Sequence, residues 1–349
     1  TGYCLRAADL ASASENAPVH LPVAERIAAG KVGVAIEPGT CARIFTGAPM
    51  PEGADTVVPQ EEVEREGDLA VFRTAPKKGA WVRRQGSDVA AGSVILKKGV
   101  RMTPGAIGMT ASIGRAYVTV YRKLRVGVFF SGDELVQPGD PLRPGGIYNS
   151  NRFMIRSLLT LFGCEATDLG SIPDSLEATK RALENAAETS DVIMTTGGMS
   201  VGEEDHIKPA VEALGRIDLW RVKLKPGKPL AFGEVKGVPF IGLPGNPVSV
   251  FVVCLMMARP YLMRRMGLAK VDMTPMKIRA DFDWAKPGDR EEFVRVRRND
   301  EGGLDLYHTQ NSQVLSSCAW ADGLVDIPAG ASVKKGDIVH YFPFAQFFA

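Results

Sequence analysis

The sequence predicts a multidomain α/β plus β protein: an N-terminal β-rich module, a three-layer α/β domain with a mostly parallel sheet, and a C-terminal β-barrel-like domain. Three observations carry that prediction. The chain has 349 residues at 45% hydrophobic content, more than one core usually organises, so roughly two to four domains are expected. Between Leu124 and Gly267, strand-like apolar runs alternate with helical segments, the pattern of a parallel sheet covered by helices. On either side, short runs of alternating character are separated by Gly and Pro turns, as in small β domains.

The first region, residues 1–122, reads as a leading linker followed by a β module over 31–100. Its strands are expected at Val32 to Ile36, Thr56 to Val58 and Leu69 to Arg73, punctuated by Glu37-Pro38-Gly39 and Pro51-Glu52-Gly53. Thr103-Pro104 then opens a helix over 103–114, with a capping hydroxyl followed by proline at the first helical position, and Gly114 ends it.

The second region, 123–271, begins with a strand at Arg125 to Phe130 and a helix from Asn151 to Phe162 stopped by Gly163. A further helix spans Leu176 to Glu188 and a strand Asp191 to Thr195. Strands at Trp220 to Leu224, Leu230 to Glu234 and Pro239 to Gly242 precede a long apolar helix from Pro247 to Met266 that completes the layer. In the third region, 272–349, alternation returns at Met276 to Trp284, Glu292 to Arg297, Leu304 to His308 and Ile338 to Tyr341, with Gly302-Gly303 as a hairpin signal. That makes a separate C-terminal β domain.

Composition narrows the function. A formal net charge of +2 gives no whole-surface field for nucleic acid or an acidic membrane, so neither is an expected partner and any anion site must be local. Cys4, Cys41, Cys164, Cys254 and Cys318 lie far apart, without the paired spacing of a zinc or redox motif, as expected of reduced cytoplasmic thiols. His20, His206, His308 and His340 are as scattered and argue against zinc. The longest apolar run, Val248 to Ala258, falls short of the ~20 residues of a membrane helix. The chain opens on Thr1 rather than Met, so residues are expected to precede it.

In an open parallel sheet, ligands bind beyond the carboxyl ends of the strands. Four loops stand out there: Ser131-Gly132-Asp133-Glu134, Thr195 to Gly202, Lys225-Pro226-Gly227-Lys228-Pro229, and Leu243-Pro244-Gly245-Asn246-Pro247. Glycines in the second loop let backbone N–H groups approach an anion, and Thr196 and Ser200 add hydroxyls. In the fourth, Asn246 caps and Pro247 starts a helix whose dipole and free N–H groups face the space above the sheet. Two prolines stiffen the third, holding Lys225 and Lys228 as point charges suited to the oxygens of phosphate or another oxyanion. Taken singly, each of these features also fits a plain turn, a good helix start or a solubilising lysine. Of the nearby acids, Glu203, Glu204 and Asp205 read as the solvated start of the next helix. Glu134, with Asp133 beside it, has the hard oxygen ligands that Mg²⁺ takes next to phosphate. Neither a P-loop nor Gly-x-Gly-x-x-Gly occurs, which removes the usual support for kinase and dehydrogenase readings.

In their order, these loops resemble the molybdenum insertase family, which includes bacterial MoeA and the gephyrin E domain. Ser-Gly-Asp-Glu-Leu at 131–135, Asn-Ser-Asn-Arg at 149–152, Thr-Gly-Gly-Met-Ser-Val-Gly at 196–202, Lys-Pro-Gly-Lys-Pro and Leu-Pro-Gly-Asn-Pro follow one another as in that family. Arg43 to Pro51 and Arg83 to Asp88 are similar to the insertase's N-terminal motifs, which the sister adenylyltransferase lacks, and Met199-Ser200 stands where that sister has Thr-Gly. Arg290 to Arg295 and Ser316-Ser317 resemble the family's last β domain. Two positions depart from the pattern: Thr1 and Asn149 stand where the family usually has Asp.

The resemblance implies transfer of molybdate onto adenylated molybdopterin, with molybdenum cofactor and AMP as products and Mg²⁺ as cofactor. It implies that Ser131, Gly132, Asp133, Thr196, Gly197, Gly198, Ser200, Pro226, Pro229, Pro244, Gly245 and Asn246, with Lys208 and Arg84, hold the pterin. Lys225, Lys228, Ser249, Arg295 and Ser316 would hold molybdate. Glu134, Asp133 and Asp191 would serve Mg²⁺ or nucleotide handling. It further implies a cytoplasmic homodimer whose cleft is completed by Thr46 and Asp88 of the partner, exchanging substrate and product with a molybdopterin adenylyltransferase and with molybdoenzyme acceptors. The competing reading is a member that binds the pterin without turnover, as a binding or scaffold protein.

Overall fold

A computed structural model describes residues 1–199, 206–285 and 288–348. The chain divides into two compact units, Thr1–Ile95 and Leu96–Ala349.

In the first unit, β1 (Gly2–Leu5), β2 (Val19–Ile27), β3 (Cys41–Ile44), β4 (Thr56–Pro59), β5 (Val63–Glu66) and β6 (Leu69–Phe72) form one sheet in the order β4-β1-β3-β2-β6-β5. Two findings correct the sequence reading. Residues 1–30, expected as a linker, supply β1 and the nine-residue β2. All four residues of β1 are buried between β3 and β4, so the strand carries no polar/apolar alternation to betray it. Conversely, Val32 to Ile36 lies outside every strand. Val32 and Val34 are 82% and 65% exposed, and the Val34 N–H donates to a Glu25 carboxylate oxygen rather than to a ladder.

The second unit opens with α1 (Pro104–Ser112), where Thr103 Oγ1 accepts from the Ala106 N–H and Pro104 begins the helix, as the local sequence requires. Its central sheet uses β7 (Arg125–Ser131), and a small side ladder pairs β8 (Leu135–Val136) with β9 (Ile147–Tyr148). There follow α2 (Ser150–Leu161), β10 (Glu165–Ile172), α3 (Leu176–Thr189), β11 (Val192–Thr196), α4 (Ile207–Leu214), β12 (Gly215–Arg221), β13 (Leu224–Lys225), β14 (Pro229–Val235) and β15 (Val238–Leu243). The sheet order is β10-β7-β11-β15-β14-β12, with β10, β7, β11 and β15 mutually parallel and the last two strands antiparallel.

Alternation along these strands divides the core. Val126, Val128 and Phe130 of β7 and Val192 and Met194 of β11 face α2 and the long helix of α5 (Pro247–Val253), a π turn (Cys254–Ala258) and α6 (Arg259–Arg265). Phe129 and Ile193 point the other way, onto Leu183 and Ala186 of α3 and Ala210 and Val211 of α4. The result is the expected three-layer sandwich. The stretch Pro247–Arg265 reaches membrane-spanning length at a mean hydropathy of 1.3, beyond the shorter apolar run expected, but 67% of it is buried inside the protein. It is the core helix of its layer.

The last strands are β16 (Met276–Arg279), β17 (Glu291–Arg298), β18 (Leu304–Leu306), β19 (Gly323–Ile327) and β20 (Ile338–Pro343), with α7 (Ser316–Trp320) and α8 (Phe344–Phe348) beside them. They run β18-β17-β19-β20-β16, and the Ala280–Leu304 bridge joins the two ends, closing the ring as a small barrel. The hairpin at Gly302-Gly303 pairs Arg298 with Leu304. The barrel is a sheet of its own, as expected, and it is joined to the α/β layer within the second compact unit. Strand β13, the end of what the sequence presents as one strand over Trp220 to Leu224, leaves the central sheet and pairs in parallel with β17. Phe293, Leu324, Phe344 and Phe347 share the core of the long helix. Pairing and core together explain why the compact unit runs through residue 272 without a break.

Candidate functional site

Parallel pairing brings the carboxyl ends of β7, β11 and β15 side by side, so the loops that follow them meet at one edge of the sheet. With the Lys225–Pro229 loop and a barrel loop at Gln310–Gln313 they enclose a cavity of about 1180 Å³. That exceeds the ~300–1,000 Å³ of a drug-sized site and suits a ligand longer than one ring system. All its lining residues belong to the second unit, and among the described ones none is Cys or His.

Local sequence explains its walls. Gly197 has φ +83°, and a Cβ there would lie 2.2 Å from the Ser131 carbonyl oxygen. Gly227, at φ +116°, leaves only 2.3 Å to a Val253 methyl. Both loops therefore need glycine to pass so close to their neighbours. The Asn149 Oδ1 caps α2 by accepting from the Arg152 N–H at 3.1 Å, and the residue is 1% exposed. A side-chain oxygen suffices for a cap, so Asn at this departure from the family pattern does the structural work that Asp would. The Asn151 amide donates to the Gly245 carbonyl at 2.8 Å, linking α2 to the fourth loop. Asn246 precedes Pro247 as expected, yet it makes no side-chain cap. Its amide donates to Ser312 Oγ at 3.1 Å, and the Val248 N–H donates to the Ser312 carbonyl. The barrel loop thus takes up part of the helix end that the sequence left open to a ligand.

Charge is distributed unevenly. Glu134 and Lys228 line the cavity, are exposed, and have no hydrogen-bonding or ionic side-chain partner among the described residues. Lys225 also lines it but is 3.1 Å from the Glu292 carboxylate. Asp133, expected beside Glu134 as a metal ligand, instead accepts the Asp174 N–H, and the Asp174 carboxylate accepts from Ser131 Oγ at 2.5 Å and the Asp133 N–H at 3.1 Å. Asp174, not Asp133, lines the cavity. No group of three or more His, Cys, Asp or Glu that could hold a metal occurs among the described residues. A hard ion beside a phosphate needs only one or two protein carboxylates. Glu134, unengaged, and Asp174 both line the cavity, and one or two such carboxylates fit an ion whose shell substrate oxygens complete.

Ser131, Gly132, Thr196, Gly197, Gly198, Pro226, Pro229, Pro244, Gly245, Asn246 and Ser249 all line the cavity, whereas Ser200 lies outside the described residues. Four expected site residues lie elsewhere in the second unit. Asp191 precedes β11 and so sits at the amino end of the sheet, roughly 16 Å of strand from Thr196 at ~3.3 Å per residue. There it accepts from Arg122 at 2.5 and 2.7 Å and from Arg125 at 3.0 Å, and these partners, the Arg122 hydrogen bonds foremost, hold its carboxyl well below the usual range. Lys208, on α4, pairs with Glu212 and lies over the Trp220 ring. Arg295 is 1% exposed and faces inward. Its Nε donates to Ser317 Oγ, while its backbone N–H and carbonyl grip the Gln310 side chain. It shapes the Gln310–Gln313 loop from beneath, and does not reach the cavity. Ser316 shares a 3.1 Å hydrogen bond with the Tyr307 hydroxyl. Sequence reasoning missed Asp174, Tyr148 and the Gln310–Gln313 loop, and reached Arg290, which lines the cavity, only through the resemblance of 290–295 to the family's last β domain. Only the Asn-Ser-Asn-Arg match hinted at the Tyr148 end of the wall.

The remaining candidates belong to the first unit. Thr1 and Thr46 place their hydroxyls 3.3 Å apart. Next to them the Arg43 guanidinium lies over the Tyr3 ring at 4.9 Å and the Phe45 ring at 5.3 Å, and donates to the Gly2 carbonyl. The Gly-Tyr and Arg-Ile-Phe-Thr segments are therefore one cluster across β1 and β3. Arg84 and Asp88 are both exposed, in and just after a turn where the Ser87 N–H donates to the Arg84 carbonyl.

Comparison with known proteins agrees with this layout. The MoeA N-terminal region (domain I and II) matches residues 1–114, a probable molybdopterin binding domain matches 127–264, and the MoeA C-terminal region (domain IV) matches 277–344. The chain is 41% identical over 351 residues to the molybdopterin molybdenumtransferase of Haemophilus influenzae, covering 98% of this chain and 86% of that one. It is 33% identical to the Bacillus subtilis protein of the same name, over 94% of this chain and 79% of that one. A crystal structure of the molybdopterin biosynthesis MoeA protein of Pyrococcus horikoshii superposes with a TM-score of 0.85 at 27% identity, covering 97% of this chain and 85% of that one. Matched along its length by the family's regions and by full-length relatives, this chain belongs to the molybdopterin molybdenumtransferase (MoeA) family.

Proposed function

We propose that this chain is a molybdopterin molybdenumtransferase, transferring molybdate onto the dithiolene of adenylated molybdopterin with release of AMP and formation of molybdenum cofactor. The observation that carries the reading is the cavity itself. It lies largely within the stretch matching the molybdopterin-binding region and combines glycine loops, hydroxyls, unengaged lysine and carboxylate, and no Cys or His nucleophile among its described lining. Such a site suits a reaction in which the substrate's own sulfurs displace oxo groups on the metal and the protein contributes positioning and charge compensation.

Lys228, with Lys225 and Ser249 beside it, is assigned to molybdate. The 131–134 and 196–199 loops are assigned to the pterin and its adenylyl phosphates. Glu134 and Asp174 are the carboxylates that would hold Mg²⁺, which when bound supplies positive charge to the adenylate's phosphate oxygens. Thr46, Arg84 and Asp88 enter the proposal through a homodimer in which the first unit of one subunit completes the cavity of the other. Four buried, unpaired thiols fit a reducing, cytoplasmic setting, where an adenylyltransferase would supply the substrate and molybdoenzymes would receive the product.

The test is to mix purified protein with adenylated molybdopterin, Mg²⁺ and molybdate and to follow AMP. Release that requires both protein and molybdate is expected, and chelating Mg²⁺ should suppress it. Tight pterin binding with no AMP release would overturn the proposal in favour of a binding protein.

A further inference from the structure

Lys225 and Lys228 stand three residues apart on one stiff loop, but the fold treats them differently. Lys225 ends β13, and in the parallel pairing of β13 with β17 its register partner is Glu292. The Glu292 oxygens lie 3.1 and 3.2 Å from Lys225 Nζ. Glu292 is 5% exposed and does not itself line the cavity, whereas Lys225 does. Gly288 presses on it from behind, where a Cβ would come within 2.4 Å of a Glu292 oxygen. A buried carboxylate from the barrel is thus clamped to one of the two cavity lysines, while the other is left uncompensated.

We infer that Glu292 is a positioning residue that sets the strength of oxyanion binding in the cavity. It orients the Lys225 ammonium and offsets its charge, so that of the two lysines Lys228 contributes the larger net attraction and an oxyanion remains loose enough to be handed on. The inference rests on the proposed assignment of the two lysines to molybdate. The physical reason is simple: a dianion hydrogen-bonded to Lys225 sits ~6 Å from the Glu292 charge, close enough to be repelled even in a water-like dielectric. A carboxylate placed there for affinity would be misplaced. One placed for turnover is not, because binding the substrate tightly in the ground state does not raise the rate of the chemical step.

The sign of the effect makes the test decisive. Molybdate binding is measured by calorimetry on the full-length protein and on Glu292→Gln, with thermal melting to confirm folding. Removing the charge while keeping the shape is expected to tighten molybdate binding about tenfold, from the Coulomb repulsion above, and to lower turnover of AMP release at saturating molybdate. General damage from a poorly packed glutamine would weaken binding instead. The double variant Glu292→Gln with Lys225→Met is the second test: because it removes both charges of the pair, its loss in molybdate affinity should be smaller than for Lys228→Ala. Unchanged or weaker binding in folded Glu292→Gln overturns the inference, and so does a larger loss in the double variant than in Lys228→Ala. If that happens while the native protein still releases AMP in a molybdate-dependent manner, the inference fails and the proposed function stands. If the native protein neither binds molybdate nor releases AMP, both fail.

Discussion

The two ends of the central parallel sheet carry similar charged residues and do opposite things with them. At the amino end, Asp191 receives Arg122 and Arg125 at 2.5 to 3.0 Å and is 13% exposed in its side chain. Asp191 and its two arginines satisfy one another, so the cluster fastens the start of β7 to the start of β11. At the carboxyl end, Glu134 and Lys228 face a cavity with no described group to neutralise them. An unpaired charge is affordable only where water or a ligand completes it. The difference teaches that acidity near a strand says little about chemistry, whereas the compensation a charge receives from the fold says much.

The largest effect should come from the carboxyl end. Glu134→Gln is expected to reduce AMP release at least about a hundredfold while pterin binding stays within a few-fold, because an altered metal ligand harms the reaction more than docking. Unchanged turnover in this variant would remove Glu134 from the site. Lys228→Ala should follow, with the molybdate concentration needed for half-maximal rate rising about tenfold or more, the worth of a charge-assisted contact of ~1.5–3 kcal/mol. A molybdate requirement that stays put would reduce Lys228 to a solubilising side chain.

Asp191→Asn, at the amino end, should leave AMP release within about threefold and cost roughly 1–2 kcal/mol of stability, since the arginine partners are 65% and 46% exposed and partly screened. Its pH dependence has a defined sign. The folded carboxyl is held below its ordinary value of ~3.9, so its contribution is present above that pH and is lost as pH falls below it. Native urea midpoints should therefore fall between about pH 5 and pH 3 more steeply than those of Asp191→Asn. Parallel acid limbs, or a collapse of activity in the variant, would show that the two ends of the sheet are less distinct than their geometry indicates.

Much of this contrast was legible in the chain. The α/β alternation, the Thr103-Pro104 helix start and the four loops after β7, β11, β13 and β15 are local patterns, each spanning a few residues. What escaped was set by tertiary pairing. Strand β1 has no alternation because it is buried on both faces, and the exposed valines of 32–36 mimic a strand that has no neighbour. Asp174 and Gln310–Gln313 reach the cavity from a loop and a barrel far along the chain, with nothing in their own neighbourhood to mark them. Arg295 looked like an anion contact until its burial turned it toward Ser317. The Lys225–Glu292 pair could not be seen either, because the departure of β13 from the central sheet leaves no trace in local periodicity.

The most direct single measurement is the ratio of molybdenum delivered to AMP released. Adenylated molybdopterin is incubated with the protein and limiting molybdate, and pterin-bound molybdenum and AMP are quantified from the same sample. One molybdenum per AMP is expected, with neither formed when molybdate or protein is omitted. AMP released without molybdenum on the pterin would contradict the transfer and leave only a hydrolase behind.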